Sequence, residues 1–147
     1  MRGGRTVAAP AALLVAACWM PGIRPEGREL GLGGEIQAGR DVVRTRTEDW
    51  LARNGYTQVA GGSAIVAEKR APTERAGVNE LVVLSVQLEA RGEDLTYAQI
   101  LATPYLENGG RRRVERESLE RIQVAGDVYA LWDTMAPRPR NPAAGNR

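Results

Sequence analysis

Leu81-Val82-Val83-Leu84-Ser85-Val86-Gln87-Leu88-Glu89-Ala90, closed by Arg91-Gly92-Glu93-Asp94, is the stretch on which the fold turns. Val82, Leu84, Val86 and Leu88 fall on one side of an extended chain, and Ser85, Gln87 and Glu89 on the other. That period of two belongs to a strand with one buried face. The polar quartet reverses the chain, and Leu95 to Tyr105 returns as its partner. With Ala90 opposite Leu95, Tyr97 and Leu101 share the core face with Leu84 and Leu88. A one-residue slip presents Ala98, Ile100 and Ala102 instead. Both registers stay open.

Outward from this hairpin, Ala71 to Asn79 reads as a loop, with Pro72 and Gly77 as breakers. Before it, Tyr56 to Val59 and Ala64 to Lys69 flank Gly61-Gly62-Ser63 and form a second hairpin. Asp41 to Asn54 is predicted as a helix: Val43, Thr47, Trp50 and Leu51 share one side, and Asn54-Gly55 is a stop signal. On the far side, Asn108-Gly109-Gly110 breaks the strand. A long helix is expected from Val114 to Met135, with Ile122, Val124, Val128, Leu131 and Trp132 on a wide apolar face. Trp50 and Trp132 are expected as core anchors, and Tyr97 and Tyr105 as core residues. The predicted fold class is α+β, a small antiparallel sheet of about four strands flanked by an N-terminal and a long C-terminal helix. The order is α-β-β-β-β-α, in two layers.

The 147 residues suit one domain, and a hydrophobic content of 43% with 26% charged residues is that of a globular protein. The expected division is a signal peptide over 1–17, a lipidated cysteine and flexible linker over 18–39, the α+β domain over 40–136, and a disordered tail over 137–147. Gly31-Leu32-Gly33-Gly34 falls in the linker, and the alternating prolines from Pro137 mark the tail. Arg2 and Arg5 account for two of the 20 basic residues, and the remaining 18 balance the 18 acidic ones. A near-neutral mature chain argues against a nucleic-acid partner.

Met1 to Arg5 is basic, and Thr6 to Ala17 is apolar but shorter than the roughly 20 residues that span a bilayer. Val15-Ala16-Ala17 then precedes Cys18, the only cysteine. This run resembles the lipobox of bacterial lipoproteins. The resemblance implies cleavage before Cys18, acylation of its sulfur and new amino terminus, and a protein held to membrane lipid by several acyl chains. An ordinary cleaved signal, an uncleaved anchor and a misread start codon are the competing readings. Trp19 is not the aspartate that retains such proteins in the inner membrane. The implied location is the cell envelope, at the periplasmic face of the outer membrane.

The Trp50-Leu51-Ala52-Arg53-Asn54-Gly55-Tyr56 helix exit, the strands and the terminal helix together resemble helix-grip-type domains of envelope lipoproteins. That likeness implies a binding or scaffolding role and carries over no catalytic residue. Histidine is absent, which removes histidine bases and most zinc sites. Carboxylates remain: Glu89, Glu93 and Asp94 at a turn, and Glu115, Glu117 and Glu120 at the start of the last helix. Paired acids can hydrolyse glycosides across a cleft, but these positions are those of ordinary solvated acids. Arg111-Arg112-Arg113 before a helix start is the candidate contact for an anion, a headgroup or a partner protein, although pairing with the following glutamates competes. The expectation is a lipid-anchored, non-enzymatic envelope protein with no cofactor and no metal, binding another envelope component. The alternative is a carrier of a small apolar ligand between helix and sheet.

Overall fold

The computed structural model of the chain describes residues 30–60, 62–115 and 124–138. Its elements run β1 (Leu30–Ile36), α1 (Arg40–Arg53), β2 (Thr57–Ala60), β3 (Ala64–Pro72), β4 (Val78–Gly92), β5 (Leu95–Asn108), β6 (Arg111–Val114) and α2 (Val124–Met135). The class is α+β, with two helices and a six-stranded antiparallel sheet in the order β1-β5-β4-β3-β2. β6 also pairs with β5. The sheet is centred on the β4–β5 hairpin.

The register of that hairpin is the slipped one. Leu88 faces Ala98, Val86 faces Ile100, and Leu84 faces Ala102, with an irregularity between Ala90 and Gly92 that absorbs the offset. Ala98, Ile100 and Ala102 are therefore fully buried. Tyr97 and Tyr105 alternate to the other face and are only half-buried, which corrects their expected place in the core. Ile65, Ala67, Val82, Leu84 and Val86 of the sheet form one cluster with Val43 and Leu51 of α1 and Val124, Val128, Leu131 and Met135 of α2. Trp50 and Trp132 pack against its margin. The opposite side of the sheet is called the open face below.

Two strands lie where none was expected. β1 occupies the segment assigned to a linker and pairs along β5 from Leu30↔Ala102 to Ile36↔Thr96. Its glycines mark close approach rather than flexibility. A Cβ on Gly34 would sit 3.2 Å from the Trp132 ring, and one on Gly33 3.3 Å from the Ala98 carbonyl oxygen. Small residues let an edge strand press under α2 and against β5. The Thr96 hydroxyl then donates to the Ala38 carbonyl at 2.8 Å, tying the turn after β1 to the start of β5.

β6 takes the arginine run and Val114, the expected first residue of the long helix, into the sheet. Gly109 and Gly110 have φ of 55° and 79°, the positive angles of a two-residue hairpin turn, so the chain folds back instead of stopping. Val114 belongs to β6, the last helix is described over Val124–Met135, and 116–123 lie outside the described residues, as do Cys18, 1–17 and most of 137–147. α1 agrees with its prediction. Its last turn is closed by Asn54, whose backbone N–H bonds to the Trp50 and Leu51 carbonyls, and Gly55 follows at φ 79°. Among the described residues no helix is long and apolar enough to cross a membrane.

Candidate binding surface

The two-residue turn places the arginine run on a strand, where successive side chains alternate. Arg112 lies opposite Glu107 and projects to the open face, while Arg111 and Arg113, opposite Asn108 and Leu106, project to the other side. Val114, where the helix was expected to begin, is the last residue of this strand. The arginines thus split into two roles.

Arg112 enters a closed ring of alternating charge. Its Nη1 lies 2.9 Å from Glu68 Oε1 and its Nε 3.0 Å from Glu107 Oε2. Arg70 completes the ring, with Nη2 2.8 Å from Glu68 Oε2 and Nε 3.0 Å from Glu107 Oε1. The glutamates are largely covered, and the guanidiniums are about 40% exposed at 43% and 39%. Hydrogen bonds from Arg70, and then from Arg112, hold the Glu107 carboxyl below the usual carboxylate range against the opposing effect of burial. The bonds to Glu107 and to Glu68 in turn raise Arg70 and Arg112. Leu81, the cross-strand neighbour of Arg70 and Tyr105, is fully buried on this side although it is no part of the main core. The ring is a structural cover over an apolar floor.

Arg111 and Arg113 meet Arg75, Val78, Leu106 and Asn108 around a groove of about 340 Å³, at whose edge Arg112 of the ring also lies. Arg75 arrives from the β3–β4 loop because Val78 pairs with Asn108, which brings that loop beside the β5–β6 turn. The loop is held by Thr73, whose hydroxyl donates to the Val78 carbonyl at 2.8 Å and accepts from the Arg75 N–H at 3.2 Å. A larger adjoining groove of about 580 Å³ shares Arg75, Val78 and Leu106 and adds Glu74 and Glu80. Arg113 bonds Glu115 at 3.2 Å. Arg75 and Arg111 make no ion pair among the described residues.

A third, polar groove of about 340 Å³ lies at the other end of the open face, lined by Ser63, Gln87, Glu89, Tyr97 and Gln99. Here the turn carboxylates are separated in use. Glu89 bonds Arg91 at 3.1 Å, Arg91 lies over the Tyr97 ring at 5.3 Å, and Glu93 and Asp94 are exposed on the turn. Glu117 and Glu120 lie outside the described residues. Among the described residues no group of three or more histidine, cysteine, aspartate or glutamate side chains could hold a metal.

The helix side carries a second polar cluster. Tyr56, just past α1, donates its hydroxyl to Asp127 Oδ2 of α2 at 2.7 Å, and Lys69 Nζ of β3 reaches the same oxygen at 3.1 Å. Lys69 lies 5.1 Å from the Tyr56 ring centroid, and Trp50 packs beside that ring. Burial pushes the Tyr56 hydroxyl far above the usual phenol range, and the bond to Asp127 and its charge push the same way. This clamp ties helix exit, sheet and α2 together.

Sequence reading missed Arg75, the ring and the clamp. Glu68 and Arg70 stand two apart on one strand, and Glu107 faces Arg112 across a Gly-Gly turn, so reading that turn as a hairpin pairs two members of the ring. Nothing local links Tyr56 to Asp127.

No family model and no curated protein matches the chain. Among solved structures, it is similar to a DUF4468 family protein from Bacteroides ovatus, with a TM-score of 0.45 and 8% identity over 82% of this chain and 94% of that one. It is also similar to the Zhui aromatase/cyclase from a Streptomyces species, with a TM-score of 0.41 and 13% identity over 81% of this chain and 99% of that one. At such values nothing about activity passes from those proteins to this one.

Proposed function

We propose that this chain is a lipid-anchored, non-enzymatic protein of the bacterial cell envelope that acts as a binding or scaffolding module. The anchor reading rests on Val15-Ala16-Ala17-Cys18 behind a basic and then apolar segment. The binding reading rests on one structural observation: the end of the sheet where the β3–β4 loop meets the β5–β6 turn carries adjoining grooves of about 340 and 580 Å³ that share Arg75, the smaller also lined by Arg111, Arg112 and Arg113. Arg111 and Arg113 are the partner contacts in this reading, and Arg112 is committed to the ring. The apolar-carrier alternative has less support, because the side chains between α2 and the sheet are themselves at 0% exposure. An apolar guest would have to displace Val128, Leu131 or Ile100.

Two experiments test the proposal. Metabolic labelling with a fatty-acid analogue is expected to mark the wild-type protein and not Cys18→Ala; an unlabelled wild type would remove the anchor. Crosslinking in intact cells, followed by affinity isolation, is expected to recover one envelope component whose yield drops in an Arg75→Gln/Arg111→Gln variant. Co-purified lipid seated in the core would favour the carrier.

A further inference from the structure

We infer that the rim formed by the β5–β6 turn and the β3–β4 loop rests on an anionic phospholipid surface, with Arg75, Arg111 and Arg113 as headgroup contacts. The inference deepens the lipid-anchor reading and takes its occupant from it. Three observations carry it.

The first is convergence. Two segments more than thirty positions apart are brought to one end of the sheet by the Val78↔Asn108 pairing, and each delivers arginine there. Guanidinium groups bind phosphate oxygens in a two-pronged geometry. The second is availability. Arg75 and Arg111 make no ion pair among the described residues, and Arg113 is 77% exposed while bonding Glu115 on one side. Among the described residues, the acids facing this rim are Glu74, beside Arg75, and Glu115; Glu80 is buried beneath, and Glu107 is taken up by the ring. The outward positive charge is that of Arg75 and Arg111.

The third is where the chain begins its fold. β1 runs antiparallel to β5, with Leu30 opposite Ala102, and β6 occupies the same edge of β5 from Tyr105 to Asn108. Leu30 is therefore the residue of β1 nearest the arginine hairpin. Cys18 stands twelve positions before it in the sequence, a reach of at most about 40 Å at 3.3–3.6 Å per residue. That reach lets an acyl chain on Cys18 and the rim meet the same bilayer. Acyl chains and basic residues then act together on one surface.

The test uses the full chain carrying Cys18→Ala, so that no acyl group contributes, and the same protein with Arg75→Gln, Arg111→Gln and Arg113→Gln. Each is sedimented with vesicles of phosphatidylcholine alone and of phosphatidylcholine mixed with phosphatidylglycerol. Arg2 and Arg5 are present in both proteins and cancel in the comparison. The parent is expected to prefer the anionic vesicles, and the triple variant to lose roughly tenfold or more of that preference. Arg70→Gln, on the open face, is expected to keep it. Unchanged melting of the triple variant shows that its fold is intact. Equal partition of parent and triple variant, or an equal loss on neutral vesicles, overturns the inference. Acylation is read separately in cells. An unlabelled Cys18 with an arginine-dependent preference removes the anchor and sustains the rim; a labelled Cys18 with no such preference removes the rim and leaves the anchor.

Discussion

The two faces of the sheet each carry a charged cluster, and the clusters are built on opposite terms. On the helix side one carboxylate, Asp127, serves a phenol and an ammonium at 2.7 and 3.1 Å, with Tyr56 buried. On the open face two carboxylates and two guanidiniums close a ring whose cations remain in water. Few bonds around one buried phenol tie distant elements; many bonds between covered carboxylates and half-exposed guanidiniums tie neighbouring strands. Burial sets the strength of the phenol contact, because removing Asp127 strands the Tyr56 hydroxyl away from solvent.

The largest contrast is expected between adjacent residues of β5. Ile100→Ala, in the core, is expected to destabilise by about 2–5 kcal/mol in a denaturant melt. Leu101→Ala, on the open face, is expected to change stability by about 0.5 kcal/mol or less. Similar losses at both would mean that the open face is covered by something else. Next comes the clamp. Asp127→Ala leaves the Tyr56 hydroxyl without its acceptor and is expected to lose about 1–3 kcal/mol, whereas Tyr56→Phe, which removes the donor itself, is expected to lose about 1 kcal/mol. A reversed order would show that the clamp is held by the ring packing of Tyr56 and not by its hydroxyl.

The clusters are also expected to fail at opposite ends of the pH scale. The folded state holds the Tyr56 proton above the ordinary phenol value of 10.0, so its contribution is full below that pH and is lost as pH climbs beyond it. Glu107 is held below the ordinary carboxyl value of 4.5, so its contribution is present above that pH and is lost as pH falls below it. Melting temperature against pH is expected to lose part of its alkaline slope in Tyr56→Phe and part of its acid slope in Glu107→Gln. Unchanged limbs in these variants would dissolve the contrast. The smallest effect is that of salt. At 1 M, screening acts over about 3 Å, so the melting difference between wild type and Arg112→Gln is expected to shrink. The difference for Tyr56→Phe is expected to hold.

Alternation in 81–90 and the stop at Asn54-Gly55 were readable because each depends on neighbours along the chain. The glycine run 31–34 was misread for the opposite reason. Gly33 and Gly34 are small to admit Ala98 and Trp132, residues about 65 and 98 positions away, and a flexible linker has the same composition. Gly109-Gly110 is ambiguous in the same way: whether such a pair ends a strand or reverses it depends on what Arg111 to Val114 finds beside β5.

The candidate site shows the same divide. Arg111, Arg112 and Arg113 stand out as a run, yet the recruitment of Arg112 alone into the ring follows from β6 pairing, which alternates side chains where a helix would have fanned them. Arg75 had no signal at all, since its position beside the run is a consequence of Val78 meeting Asn108.

The chain by itself specified an α+β domain, its central hairpin, its first helix and the Cys18 motif. These follow from periodicity and short-range stops, which act within a few residues. Tertiary structure alone chose the slipped register, recruited β1 and β6, and assembled ring, clamp and rim. Those choices depend on distances between segments far apart in sequence, and only packing sets them.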